Sequence, residues 1–176
     1  ALATASGAAV MIAAQLAQGK TATARKIFNT AIWMMGSTGL FIALAGNLFL
    51  RPLAQLLGAT PDILNEAAVY LRYIVTFEPF QLFSFLLGSM VRNDGRPKLA
   101  MAAMILGALS NIVLDYVFMY PLNMGIAGAA LATALGPIFS VLILLPHFLL
   151  KKGSLYFIRC SLRPKDIRQI LFYGFP

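Results

Sequence analysis

The sequence predicts an all-α fold, a polytopic membrane helix bundle with five crossings. Three observations predict it. Of 176 residues, 60% are hydrophobic and 11% are charged, whereas an ordinary soluble domain spends about a quarter of its residues on charge. Mean hydropathy is +0.80. The apolar residues also fall in successive blocks of about 20, the length a helix needs to cross a bilayer, with basic residues clustered between the blocks. A soluble globule is excluded, so the quantity to count is spans.

Block one, residues 1–17, is rich in small residues and ends at "QGKTATARK". Block two runs over about 27–50 and is expected to close at Arg51-Pro52, because proline cannot continue a helical ladder. "LAQLLG" is too short to span and reads as an interfacial piece, and Thr60-Pro61-Asp62 resembles a helix start. Block three, about 67–91, carries Arg72 near its start and Glu78-Pro79 near its middle. "RNDGRPK" is a turn, with Pro97 placed for a first helical turn. Blocks four and five, about 98–120 and 126–150, flank "PLNMG", and Pro137 and Pro146 are expected to kink the fifth.

Residues 151–171 follow as a basic linker, in which "RPKDIRQILFYG" has the two-faced pattern of an interfacial helix. Residues 172–176 read as the start of a further span. The chain opens inside an apolar run and closes on "QILFYGFP", so it is expected to be part of something larger.

Lysine and arginine alternate between connectors. The first (18–26) holds Lys20, Arg25 and Lys26, the third (92–98) holds Arg92, Arg96 and Lys98, and the fifth (151–171) holds six. The second has only Arg51, and the fourth has none. Positively charged loops stay cytosolic, which places connectors one, three and five inside. The net charge of +8 is thus a topology signal, and no nucleic-acid partner is expected. Cys160 is the only cysteine and suits a reduced cytosolic loop. His147 is expected at the inner membrane interface, and Trp33, Tyr70, Tyr73 and Phe77 against lipid or the interface.

"NIVLDYVFM" sets Asp115 among residues suited to hydrocarbon, where an aspartate costs about 2.5–3.5 kcal/mol on insertion scales. Asn111, one helical turn away, shares its face. Folding blocks four and five into a hairpin about "PLNMG" brings Thr133 to a similar depth, and "GIAGAALATALG" lets the two backbones approach closely. A carboxylate, an amide and a hydroxyl are oxygen donors suited to a hard cation such as sodium, or to a proton held on the acid. The same groups could instead cross-link helices by hydrogen bonds. Glu78, beside a proline that frees a backbone carbonyl, is a possible additional acid. No Walker loop, GxSxG or HExxH is present, so no enzyme is indicated and no cofactor beyond a coupling ion.

Three stretches in order, "MVRNDGRPKLAM" (Met90 to Met101), "NIVLDYVFM" (Asn111 to Met119) and "NMGIAGAALATALG" (Asn123 to Gly136), resemble the multidrug and toxic compound extrusion (MATE) transporters, in particular the DinF/MepA-like bacterial branch. "AAQLAQGKTATARK" is a weaker echo, with Ala17 where the family usually has glycine. The resemblance implies that residues 1–150 form most of the N-terminal lobe, helices two to six of a six-helix lobe, and that the linker leads to a C-terminal lobe of the same protein. It implies a multi-pass protein of the bacterial inner membrane that expels cationic amphipathic small molecules in exchange for protons or sodium. The family's cation site matches Asn111, Asp115 and Thr133 residue by residue; its aspartate on the first helix has no counterpart in this sequence. Two rivals stand beside this reading. One is a lipid-linked-oligosaccharide flippase of the same superfamily, which would line its cavity with several arginines, and the other is a polytopic membrane enzyme or scaffold.

Overall fold

The computed structural model describes residues 2–158 and 164–174, and among them every regular element is a helix. They are α1 (Leu2–Ala17), α2 (Thr21–Leu48), α3 (Leu50–Leu56), α4 (Leu64–Asn93), α5 (Pro97–Met119), α6 (Gly125–Leu149) and α7 (Pro164–Gly174). The chain is a multi-pass membrane bundle. Helices α2, α4, α5 and α6 are long and apolar enough to cross a bilayer, and they are four of the five expected crossings. The fifth expected crossing is α1, whose 16 residues reach about 24 Å, as the latter part of a span would.

Helix boundaries differ from the hydropathy blocks where charged side chains or proline are involved. Helix α2 starts at Thr21, six residues before its apolar block, and so includes Arg25 and Lys26. Long basic side chains at a helix end reach back to the polar interface, so the backbone there can stay helical. The chain does not break at Arg51-Pro52. It breaks at Phe49 (φ −116°, ψ 30°), and Pro52 lies in the first turn of α3, where a missing N–H costs nothing. Pro97 opens α5 as expected, after a turn that Gly95 closes at φ +78°.

Helix α4 crosses at the centre of the bundle, packed against α2, α5 and α6, while α5 and α6 form the closest hairpin. Small residues permit these contacts. A Cβ on Gly39 of α2 would stand 2.9 Å from the Cα of Pro79, so the proline turn of α4 is seated directly on α2. Between α5 and α6, contacts of Gly128 with Phe118 and of Gly136 with Asn111 fix the register. The buried core lies among α1, α2, α4 and α6 around Phe28, Met35, Leu86, Met90 and Phe148. The outer surface is apolar, with Trp33 63% exposed and Ile112, Val113 and Leu109 similarly bare, as suits side chains solvated by lipid.

The expected amphipathic helix is α7, which packs on α1 and α2 through a group that includes fully buried Ile170. Residues 172–174, expected to open a new span, are its last turn. Cys160, the rest of 159–163, and 175–176 lie outside the described residues.

Candidate functional site

Asn111 and Asp115 lie on one face of α5, a turn apart, and the α5–α6 register sets Thr133 between them in depth. The close approach has a local cause. Gly107 and Gly136 remove side chains from the crossing point, and Ser140 Oγ donates to the Ala103 carbonyl oxygen at 3.0 Å across it. Helix α6 is thereby held against α5 by backbone contact and a buried hydrogen bond, worth about 1 kcal/mol.

A cavity of about 260 Å³ runs between α4, α5 and α6. Its polar lining is Gln81, Ser84 and Arg92 from α4, Asn111 from α5, and Thr133 and Ser140 from α6. From Ala100 to Asn111 it follows α5 for about 16 Å along the helix axis. Asn111 and Thr133 stand together at one end and Arg92 at the other. Asp115 is not among the lining residues; it lies one turn beyond Asn111, away from Arg92.

Two polar atoms on this face are unsatisfied. Asn111 Nδ2 and Asp115 Oδ1 are buried with no hydrogen-bond partner, although such groups are costly to leave unpaired in a low-dielectric interior. Thr133 is exposed, and its hydroxyl donates to the Ala129 carbonyl oxygen at 2.9 Å, so the hydroxyl oxygen keeps its lone pairs for another partner. The amide of Asn111 can turn either end to the same spot, exchanging an unpaired N–H for an oxygen ligand. A carboxylate oxygen, an amide oxygen and a hydroxyl oxygen are a donor set for a monovalent hard cation, and Asp115 alone can hold a proton. Among the described residues there is no group of three His, Cys, Asp or Glu side chains able to hold a metal ion.

Glu78 does not join this set. It is half-buried on α4 beside Pro79, at the α2 contact, and does not line the cavity. His147, expected at the interface, is 2% exposed and paired with Asp94. Gln81, Ser84 and Ser140 were not singled out from sequence, and Arg92 was read only as a topology charge, yet their spacing could have revealed them as cavity lining. Gln81, Ser84 and Arg92 recur at helical intervals on α4, and Ser140 follows Thr133 by two turns.

Comparison with known proteins agrees with the bundle. The family model MatE matches residues 1–117. "Multidrug export protein MepA" of Staphylococcus saprophyticus is 31% identical over 126 residues, covering 70% of this chain and 28% of that protein. The chain thus spans under a third of the length of the curated relatives it matches. Two solved structures superpose over 98% of the chain. The inward-facing conformation of a multidrug resistance MATE family transporter of the MOP superfamily gives a TM-score of 0.91 at 24% identity, with 40% of that chain covered. An outward-facing conformation under the same description gives 0.89 at 25% identity, with 39% covered.

Proposed function

Because this chain belongs to the MatE family, whose model matches residues 1–117, we propose that it forms most of the N-terminal lobe of a cation-coupled multidrug efflux antiporter. Its partner is a C-terminal lobe of the same protein, and its substrates are cationic amphipathic small molecules. The membrane is a bacterial inner membrane, with residues 18–26, 92–98 and 151–171 on the cytosolic side. Near-equal superposition on inward-facing and outward-facing structures supports a lobe that keeps its shape while access changes around it.

The observation that carries the coupling step is the pair of orphaned atoms on α5, Asn111 Nδ2 at one end of a polar-lined cavity that Thr133 also lines, and Asp115 Oδ1 one helical turn beyond it. The ion, sodium or a proton, satisfies this face when it binds and leaves it strained when it departs. Occupancy therefore biases the packing of α5 on α6, which share the Gly107–Gly136 contact. Drug and ion then weaken each other's binding by the same factor, as linkage requires.

A flippase for lipid-linked oligosaccharides would place several cationic side chains in the cavity to meet a pyrophosphate. Here Arg92 is the one arginine or lysine among the lining residues, at the end opposite Asn111. The deciding experiment is efflux by the full-length protein under separate proton and sodium gradients, with and without Asp115→Asn. Ion-driven efflux that survives the substitution refutes the assignment.

A further inference from the structure

The inner end of the bundle holds a second polar network, distinct from the coupling site. Asp94, in the turn between α4 and α5, accepts the Ser154 N–H at Oδ1 (2.8 Å) and the Leu155 N–H at Oδ2 (3.3 Å). His147, in the last turn of α6, places Nε2 2.8 Å from the same Oδ2. The two side chains are 0% (His147) and 2% (Asp94) exposed. A carboxylate accepts and does not donate, so Nε2 carries the proton, and the buried Nδ1 has no hydrogen-bond partner. Gly153 passes directly over the pair: a Cβ there would overlap the Asp94 carboxylate and stand 2.9 Å from His147 Nε2.

Helix α2 grips the residues that follow. Asn29 Nδ2 donates to the Tyr156 carbonyl oxygen (3.2 Å) while its Oδ1 accepts the Ile158 N–H (3.1 Å), so one side-chain amide serves an extended segment as a neighbouring strand would. Arg25 Nε donates to the Ser154 carbonyl oxygen at 2.8 Å, and its guanidinium lies 4.0 Å from the centre of the Tyr156 ring. Leu155 is fully buried, and Phe157 packs on Phe28 and Phe148. Three elements, namely α2, the α4–α5 turn and α6, thus converge on eight residues of the linker that hydropathy reads as a solvated connector.

We infer that Asp94 and His147 are positioning residues that fasten residues 151–158 to the bundle, so that this part of the linker and the lobe move as one body. His147 is on α6, the helix that carries Thr133, and the fastening delivers any displacement of the inner end of α6 to the linker. That last consequence rests on the transport reading; the fastening itself does not.

The test uses the full-length protein in lipid nanodiscs and follows amide hydrogen exchange across residues 151–158. Asp94→Asn turns one acceptor toward donors, and His147→Leu keeps volume but removes the donor. Each is expected to lower protection of residues 151–158 at least tenfold while α2 and α4 amides keep theirs. His147→Gln, which can still donate to Asp94, should hold protection within about twofold of the parent. Gly153→Ala leaves the pair's own side chains intact and should match Asp94→Asn. Unchanged exchange in Asp94→Asn and Gly153→Ala overturns the proposal, as does equal loss in His147→Gln and His147→Leu, or loss spread evenly over the bundle. A second readout separates binding from turnover: fastening variants should bind drug within twofold of the parent but export it several-fold more slowly. A protein that exports no drug would sink the transport reading and leave the exchange result standing.

Discussion

Gly107 of α5 and Ser140 of α6 meet with no room for a side chain at position 107, since a Cβ there would overlap Ser140 Oγ and lie 3.0 Å from the Gly136 carbonyl oxygen. Gly107→Ala is therefore expected to force the helices apart and destabilise the protein by about 1–3 kcal/mol, the usual range for overpacking. Gly88→Ala is the control. Its Cβ would meet only Leu144 Cδ1, at an ordinary 3.9 Å, and alanine gains about 1 kcal/mol of helix propensity over glycine. Thermal unfolding of both variants in one detergent checks the opposite signs.

Asp115→Asn removes the charge and the titratable proton while keeping shape and most of the polarity. Ion-driven efflux should fall at least tenfold, with no change in the amount of protein inserted in the membrane. Uptake of drug into inverted vesicles under an imposed gradient measures it.

Thr133→Ser keeps a hydroxyl that can donate to the Ala129 carbonyl, as Thr133 does now, and should retain near-parental efflux. Thr133→Val keeps the shape but loses the oxygen, so the concentration of driving ion needed for half-maximal efflux should rise several-fold. Titrating efflux against sodium or pH distinguishes the two.

The proposed topology predicts labelling by a membrane-impermeant maleimide. In a Cys160→Ser background, Leu122→Cys, in the exposed α5–α6 turn, should react in intact cells. Lys98→Cys, in the first turn of α5, should react only after the membrane is opened. The reverse pattern would invert the charge argument.

Much of this was legible in the sequence because lipid imposes few solutions. Apolar blocks of spanning length gave the four long helices, and the short "PLNMG" turn pairs α5 with α6, with Thr133 and Asn111 lining one cavity. Arg25 and Lys26 were misleading at the start of α2, because hydropathy registers the hydrocarbon boundary and not the end of the helix. Pro52 misled in the same way, since proline stops a helix from its interior but not from its first turn. The Asp94–His147 contact had no local signal at all. Its partners are 53 residues apart in sequence, and each had an adequate local explanation, turn chemistry for one and a membrane interface for the other.

The stacked rings of Phe28 and Phe148, 5.0 Å apart with Phe157 tilted against the first at 5.6 Å, bear on where the gene can be divided. A lobe expressed alone and ended at Leu150 would remove Phe157 from that aromatic pair and strip Asp94 of both its backbone donors. Ending it after Ile158 would keep those contacts but remove α7, which packs on α1 and α2; ending it after Gly174 keeps both. The boundary that preserves a monodisperse preparation in detergent therefore falls beyond α7, well past the last apolar block.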